Sequence, residues 1–346
     1  MNASAIKNQI SKDNISKKLQ IIFKPQNAHE EMLSNEIKKK WGRNIYSLFW
    51  KLFRLILFLG LIFVLIYPLL FLFSISLRTF DDMVDPTTIW IPKKPTFARY
   101  AEAYKALDYL LSLKNTFLTS IFPTIFNVIM CSLIGYGFAR FRFREKNFLF
   151  ALVLFTLIVP PQVTIVPQYL QYSNFDFFGL MKLFNKHAGI NLLNTYVPLI
   201  LPSLFGLGLK SGLFIYIFRQ FFRGMPKELE DAAYIDGCSP FQTYIRIFLP
   251  NAVPAIVTVF LFSFVWHWND VFEPTIYLND IKNYTLAMRL ASIDNFITGS
   301  AQVFDPIKVT PPKYAGVILV ILPMLILYVF AQRYFIESVE RSGIVG

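Results

Sequence analysis

Six largely apolar runs, separated by more polar segments, follow a polar N-terminal stretch. The runs cover residues 55–77, 116–139, 147–170, 195–218, 252–268 and 314–332. Each is close to the length of about 20 residues that an apolar helix needs to cross a bilayer. Barrel strands would be half as long and would alternate in polarity, and isolated strands cannot satisfy their backbone groups in lipid. We therefore expect an all-α polytopic membrane protein with six transmembrane helices.

The third and fourth runs contain residues that disturb a simple spanning helix. Pro160 and Pro161 predict a kink in the third run. The fourth run contains Lys210 between Gly208 and Gly212, a glycine spacing that would let a neighbouring helix approach closely. A charge within a span is costly and is typical of a functional position. Two interpretations of Lys210 are open: it lines a translocation path for a polar solute, or it reaches the interface or pairs with a carboxylate of a partner.

Polar and aromatic residues end the fifth run, where Asn269 and Asp270 follow Trp268 and precede Glu273. Tryptophan at the end of a span is typical of the aromatic belt at a membrane interface. The alternative is a rim that orients solute entry. Under that alternative Asn269 and Asp270 join Lys210 as candidates for the translocation path.

A polar stretch, residues 226–250, separates the fourth and fifth runs and predicts two short helices that meet at a corner. Pro226 suits the first turn of a helix, and acidic residues follow it where the helix dipole favours negative charge. Gly237 suits the residue after the helix end, since a left-handed conformation costs glycine little. The sequence from Ser239 to Gln242 has the pattern of a capping box. Such a pair is either a linker between spans or a lever that a partner moves.

Composition and charge agree with a membrane protein. The chain of 346 residues is 55% hydrophobic and 16% charged, with a net charge of +12. Residues 1–54 contain eleven Lys or Arg and four Asp or Glu, so +7 of that charge precedes the first run. A basic segment before a span is typical of a cytoplasmic position near anionic lipid rather than of nucleic-acid binding.

The other basic residues lie in segments that share one side of the membrane if the spans number six. They are Arg140, Arg142, Arg144 and Lys146 after the second run, Arg219, Arg223, Lys227 and Arg246 after the fourth, and Arg333 and Arg341 after the sixth. This distribution predicts that both termini and residues 226–250 are cytoplasmic. The chain then divides into a basic cytoplasmic extension, residues 1–50, and a transmembrane domain, residues 51–346. Residues 36–54 suit either an amphipathic interfacial helix or an extension of the first span.

The spacing within residues 226–250 resembles the EAA loop of binding-protein-dependent ABC importer permeases, and most closely the MalG- and UgpE-like carbohydrate branch. The matching positions are Asp231, Ala232, Ala233, Gly237, Ile247, Leu249 and Pro250. Asp231 stands where that motif usually has Glu, which keeps the charge and removes one methylene. Similar stretches extend over most of the chain from residue 51, while the long N-terminus and residues 175–189 depart from the family pattern.

This resemblance implies a function and a set of partners. The polar loop would be the coupling helix that sits in a cleft of a cytoplasmic ATPase, with Glu228, Glu230 and Asp231 making polar contacts and Ala232, Ala233 and Gly237 allowing a close turn. The partners would be a second permease, two ATPases that bind ATP and Mg, and an external solute-binding protein. The chain would reside in the bacterial cell membrane and import a polar solute, a sugar or an oligosaccharide.

Catalytic and metal-binding patterns are not legible in the sequence. It has no Walker A motif, so ATP hydrolysis is expected from a separate subunit, and no cofactor is expected in this chain. Its three His residues have no metal-ligand spacing, and its two Cys residues form no CxxC pair. Two other functions stay open from the residues: a carrier or scaffold that needs no ATPase, and a membrane enzyme. A carrier would favour internal repeats, and an enzyme a polar cluster at one depth of the bilayer.

Overall fold

The structure is a computed structural model that describes residues 46–176, 189–298 and 305–343, with side chains up to residue 332. This part of the chain is helical, and its only extended pairing is one antiparallel bridge between Phe175 and Ile190. The expectation of an all-α protein is confirmed. The predictions for residues 1–45, for most of the segment 175–189 and for the side chains of Arg333 and Arg341 lie outside the described residues.

Two compact units divide the chain, Met1–Leu70 and Phe71–Gly346. The described part of the first unit is the start of helix α1 (Tyr46–Ser76), which is apolar and long enough to cross a membrane. Its apolar side chains are exposed, as those of a lipid-facing helix would be. The helix is continuous from Tyr46 into the first apolar run, so residues 46–54 extend the predicted span.

Helix α4 (Tyr109–Arg140) organises the second unit, because most of the other helices pack on it. It contains the second predicted span and is flanked in sequence by α2 (Phe80–Val84) and α3 (Ala98–Ala106). Its buried face carries small and polar side chains. At Gly135 an added Cβ would lie 2.6 Å from Phe218 Cβ, so the neighbouring helix can approach this closely only against glycine.

The third and fourth predicted spans are each divided into two helices. The third run forms α5 (Lys146–Phe155) and α6 (Pro161–Ser173), with the interruption at the two prolines that predicted a kink. The fourth run forms α7 (Val197–Leu204) and α8 (Ser211–Gly224), separated by residues 205–210. The expectation of one continuous fourth helix is therefore wrong, because Gly206 and Lys210 both take left-handed φ angles of 69° and 60° there.

Only one glycine of the Gly208–Gly212 pair allows the helix approach that the spacing predicts. At Gly212 an added Cβ would lie 2.6 Å from Thr156 Oγ1 and 2.9 Å from Val153 O, so α8 and the end of α5 touch there. At Gly208 the nearest atom would be Ser203 Oγ, within the same broken run.

The fifth and sixth runs complete the fold. Helix α9 (Glu228–Ile235) precedes α10 (Pro240–Asn251), which contains a π-helical turn at Tyr244–Phe248 and meets α11 (Val253–Asn269) at 78°. The remaining helices are α12 (Phe272–Tyr277), α13 (Leu286–Ala291), α14 (Ile293–Thr298) and α15 (Pro306–Gly343). By length and apolar composition, three described helices can each cross a membrane, or four if the bent pair α10–α11 counts as one span.

The core beside the polar loop is aromatic. Tyr136 of α4 contacts Phe222, Tyr244 and Phe248 with ring centroids 5.9, 5.1 and 5.1 Å away. All four side chains are buried. Large rigid rings at such distances bury much apolar area and pack with defined geometry. The cluster joins α4, α8 and α10 at the place where the polar loop begins.

Candidate coupling site

The corner between α9 and α10 is built by local backbone chemistry that the sequence predicted. Gly237 has φ 78°, and the Gly237 and Cys238 amides donate to Tyr234 O and Ala233 O at 3.1 and 2.9 Å. This is the Schellman arrangement that satisfies the last carbonyls of a helix. Ser239 and Gln242 then form the capping box that begins α10. The predicted two-helix corner is confirmed, although α9 begins at Glu228 rather than at Pro226.

One face of this helix pair is apolar and open to solvent. Leu229, Tyr234, Ile235 and Phe241 are all exposed, and Ile235 leaves 86% of its surface uncovered. Exposed apolar side chains grouped on one polar loop are typical of a surface that another protein covers.

The predicted coupling residues divide between two faces. Glu228, Asp231 and Ala232 are exposed, and Asp231 pairs loosely with Lys227 at 3.7 Å. Glu230 and Ala233 are buried inside the chain, which differs from the expectation that all of these side chains face a partner. Farther on, Ile247 and Leu249 are half-buried against the aromatic core and Pro250 is exposed.

Arg140, at the end of α4, holds the buried face of the loop. Its Nη1 lies 3.5 Å from Glu230 Oε2, and its Nη2 donates to Phe222 O at 2.7 Å and to Met225 O at 2.6 Å. The guanidinium also lies 4.6 Å from the Phe248 ring centroid. One side chain therefore joins α4, the end of α8, α9 and α10.

Sequence reasoning counted Arg140 only as a topology-setting charge. Its partners lie up to 90 residues away in the chain, and no local pattern marks that distance. The one available signal was its position at the boundary between an apolar run and a basic turn. A five-donor fork at the end of a span suits carbonyls and a carboxylate that converge there.

Tyrosine hydroxyls add further bonds to the same junction. Tyr136 donates to Pro240 O at 3.3 Å, Tyr244 shares a 2.7 Å bond with Ser132, and Tyr234 donates to Glu230 Oε1 at 3.0 Å. Because these bonds join buried groups, they hold α9 and α10 against α4 at fixed points.

A polar contact deeper in the helical bundle joins three more helices. Asn127 of α4 donates to Ser263 Oγ of α11 at 3.1 Å and accepts from Ser211 Oγ of α8 at 2.9 Å. Interhelical bonds of this kind fix helix positions within a membrane. Helix α4 thus has polar attachments to α8 both here and at Arg140.

The candidate pathway residues lie at helix ends rather than inside helices. Lys210 is exposed at the start of α8, with Nζ 6.0 Å from the Trp266 ring centroid. Asn269 closes α11 and donates to Val265 O, while Asp270 accepts from the amides of Phe272 and Glu273. These contacts place Lys210 near α11 and leave Asn269 and Asp270 in local turns.

A small pocket lies between the broken fourth run and α12. Its walls include Gln168, Gly208, Leu209, Glu273 and Tyr277. Tyr277 donates to Gln168 Oε1 at 3.1 Å. The chain neighbours of Lys210 and Asp270 therefore line the same pocket, although Lys210 and Asp270 themselves are not among its walls.

Glu273 is the pocket's titratable group, and it lies beyond the end of α11. Its burial, followed by the negative charge of Asp270, raises its pKa from 4.5 to about 7. Burial raises the pKa of Asp270 as well. The carboxyl of Glu273 can therefore gain or lose its proton near neutral pH. Within the described ranges no group of His, Cys, Asp and Glu side chains is arranged to hold a metal ion.

Comparison with known proteins places these features in context. Residues 129–341 match the family model for the binding-protein-dependent transport system inner membrane component. The arabinooligosaccharides transport system permease protein AraQ of Halalkalibacterium halodurans is 29% identical over 82% of this chain and 92% of the relative. The trehalose transport system permease protein SugB of Mycobacterium tuberculosis is 28% identical over 81% and 92%.

A solved structure has the same fold. It is a bacterial ABC transporter involved in the import of the acidic polysaccharide alginate. The similarity has a TM-score of 0.62 at 19% identity, and it covers 83% of this chain and 96% of the other.

Proposed function

The chain belongs to the family of binding-protein-dependent transport system inner membrane components, and from this premise we propose that the α9–α10 pair couples it to an ATPase. It is a permease subunit of an ATP-driven importer, not an enzyme. The observation that supports the coupling role is the division of the pair into two faces. Leu229, Ile235 and Phe241 are exposed, while Glu230 is fixed to Arg140.

The division suits a lever. An ATPase cleft would cover the exposed apolar side chains, with Glu228 and Asp231 giving polar contacts at its edge. Displacement of α9 would then act on Arg140, which also holds the last carbonyls of α8. Because the junction is buried and bonded at several points, α4 and α8 would move with the loop rather than past it. The remaining matching positions, Gly237 and Pro250 among them, would shape the turn.

The transported solute is polar. Named relatives of this chain transport arabinooligosaccharides and trehalose, which supports a sugar or an oligosaccharide as the solute. The pocket beside α12 and the neighbouring residues Lys210, Asn269 and Asp270 offer donors and acceptors for hydroxyl groups. We place the translocation path along the broken fourth run, because unwound backbone in a transporter lines solute sites.

The assembly would contain this chain, a second permease, two ATPases that bind ATP and Mg, and an external binding protein. In this arrangement the six apolar runs are spans of a bacterial cell membrane, with both termini and the coupling pair in the cytoplasm. ATP binding would close the ATPases and move the pair inward. The permease would alternate between inward- and outward-facing states, as differential contacts in two states require.

Affinity purification of the full chain in mild detergent, with identification of the proteins that accompany it, tests this function. We expect an ATPase and a second permease, and sugar-dependent ATP hydrolysis once the binding protein is added to the reconstituted complex. Recovery of the chain alone after gentle extraction and crosslinking at Cys238 would contradict the proposal and favour a carrier that needs no ATPase.

A further inference from the structure

Four cationic side chains gather where α4 ends, α5 begins and α8 ends. They are Arg142, Lys146, Arg219 and Arg223. Burial, followed by the charges of the three arginines, lowers the pKa of Lys146. The two groups buried most deeply among them, Lys146 and Arg219, are each half-buried. This cationic cluster lies apart from the junction of Arg140 with Glu230.

The cluster lacks a counter-charge in the described part of the chain. None of its four members has a carboxylate within 4.0 Å there, and the nearby Glu145 pairs with the exposed Arg144 at 3.7 Å instead. Like charges that are partly removed from water repel each other, and an anion between them would relieve that repulsion.

Arg219 shows the vacancy in its hydrogen bonding. Its guanidinium lies flat against the Phe150 ring, 3.9 Å from the centroid, and its Nη1 makes one long bond of 3.5 Å to Gln220. Its Nε is buried without a hydrogen-bond partner. A buried, unpaired donor on a charged group is costly and is typical of a site whose ligand is missing.

The surroundings of the cluster are apolar. Phe148, Leu149 and Leu152 of α5 are exposed side chains within about two turns of Lys146. The site thus combines cations at the end of apolar runs with an open hydrocarbon-like surface beside them. That combination matches a phospholipid, whose phosphate and acyl chains are joined at the same spacing, better than a free anion.

We propose that this cationic cluster binds the phosphate of an anionic phospholipid, with Arg219 and Lys146 as its main donors and α5 as the surface for the acyl chains. The site goes beyond the transport function and rests on it only for the assignment of this side as cytoplasmic. A bound lipid would neutralise the cluster and fix α5 against α8 beside the coupling pair.

Native mass spectrometry of the purified full-length chain, titrated with dioleoylphosphatidylglycerol, tests the site. Each charge removed near the surface weakens lipid binding by about fivefold, so Arg219→Gln and Lys146→Gln are each expected to show that loss. Arg144→Gln is the control, since Arg144 is exposed and already paired, and it should bind as the wild type does. Arg223→Gln, at an exposed position, keeps the test available if Arg219→Gln does not fold.

The alternatives give different results. Equal losses in Arg144→Gln would mean diffuse surface charge and would overturn the site. Occupancy by dioleoylphosphatidylcholine or by inorganic phosphate alone that matches dioleoylphosphatidylglycerol would overturn an anionic lipid. Unchanged lipid binding in the cluster variants, with loss of the accompanying ATPase, would make the cluster an ATPase contact. None of these measurements depends on transport, so the lipid site can fail while the transport function holds.

Discussion

Glu230 Oε2 of α9 lies 3.5 Å from Arg140 Nη1 of α4, and only 8% of the Arg140 side chain and 10% of that of Glu230 are exposed. The carboxylate also accepts from Tyr234, and the guanidinium also donates to two carbonyls. An ion pair in which each member has further bonds repays the cost of burial better than an isolated pair does. The polar loop is thus fixed to the longest helix of the second unit through one contact.

Removing one member of this pair should destabilise the protein. Glu230→Ala leaves the Arg140 charge buried without its acid, which costs about 3–5 kcal/mol in a buried pair. Glu228→Ala is the matched control, because Glu228 is exposed on the same helix and should change stability by less than about 0.5 kcal/mol. Unfolding of the purified variants in detergent measures the difference.

The double variant separates the pair from its surroundings. Arg140→Gln with Glu230→Ala should be less destabilised than the sum of the single variants, by about 1–3 kcal/mol. Additive effects would mean that the two side chains act independently and that Arg140 is held by the carbonyls alone.

The corner between α9 and α10 depends on the conformation of Gly237. Its φ of 78° is unfavourable for residues with a Cβ, yet nothing lies within 4 Å of the position where a Cβ would be added. Gly237→Ala should therefore cost about 1–2 kcal/mol from the backbone alone and weaken coupling through a displaced α10. Gly237→Asn should lose less, because Asn tolerates this conformation.

Gly224 gives the control for that substitution. It lies in α8, has equally open space around it and has no left-handed φ. Gly224→Ala should be neutral or slightly stabilising. Sugar-dependent ATPase activity and thermal unfolding of the same samples distinguish a strained turn from a lost contact. A neutral Gly237→Ala would contradict the role of the turn.

The adjacent alanines of α9 test the two faces of the coupling pair. Ala232 is exposed and Ala233 is buried. Ala232→Asp should leave the amount of protein in the membrane unchanged and reduce the accompanying ATPase, because the new charge would enter the partner's cleft. Ala233→Asp should lower the amount of protein, since it buries a charge without a partner. If Ala232→Asp instead removes the protein from the membrane, the defect is in folding and the docking surface is wrong.

The coupling corner could be predicted from the sequence because its chemistry is local. The capping box at Ser239 and the turn at Gly237 each depend on residues within four positions. The burial of Glu230 could not be predicted in this way, because its partner lies 90 residues earlier. Spacing identified the loop, but the face of α9 that turns inward is decided by tertiary packing.

The broken fourth run shows a second limit. Residues 195–218 are apolar enough to predict one helix, and hydropathy does not register backbone conformation. Left-handed φ angles at Gly206 and Lys210 end α7 and start α8. The prolines of the third run gave an explicit signal for the interruption before α6, whereas the fourth run offered only glycines, which helices in membranes also tolerate.

The stability of the protein should depend on pH through Glu273. Its pKa of about 7 in the folded chain exceeds the ordinary value of 4.5, so the folded state holds more protons than the unfolded state between these values. Stability contributed by this group is therefore full below about pH 4.5 and falls as the pH rises towards 7. Glu273→Gln removes the ionisation and should flatten that part of the curve of melting temperature against pH.

Two further variants establish the cause of that slope. Asp270→Asn removes the charge that adds to the effect of burial, so it should shift the Glu273 transition to lower pH without abolishing it. Asp236→Asn, at an exposed position after α9, should leave the curve as in the wild type. Since Glu273 lines the pocket beside Gly208 and Tyr277, transport measured over the same pH range shows whether its ionisation also affects the solute. An unchanged slope in Glu273→Gln would mean that its carboxyl stays ionised and hydrated in the folded protein.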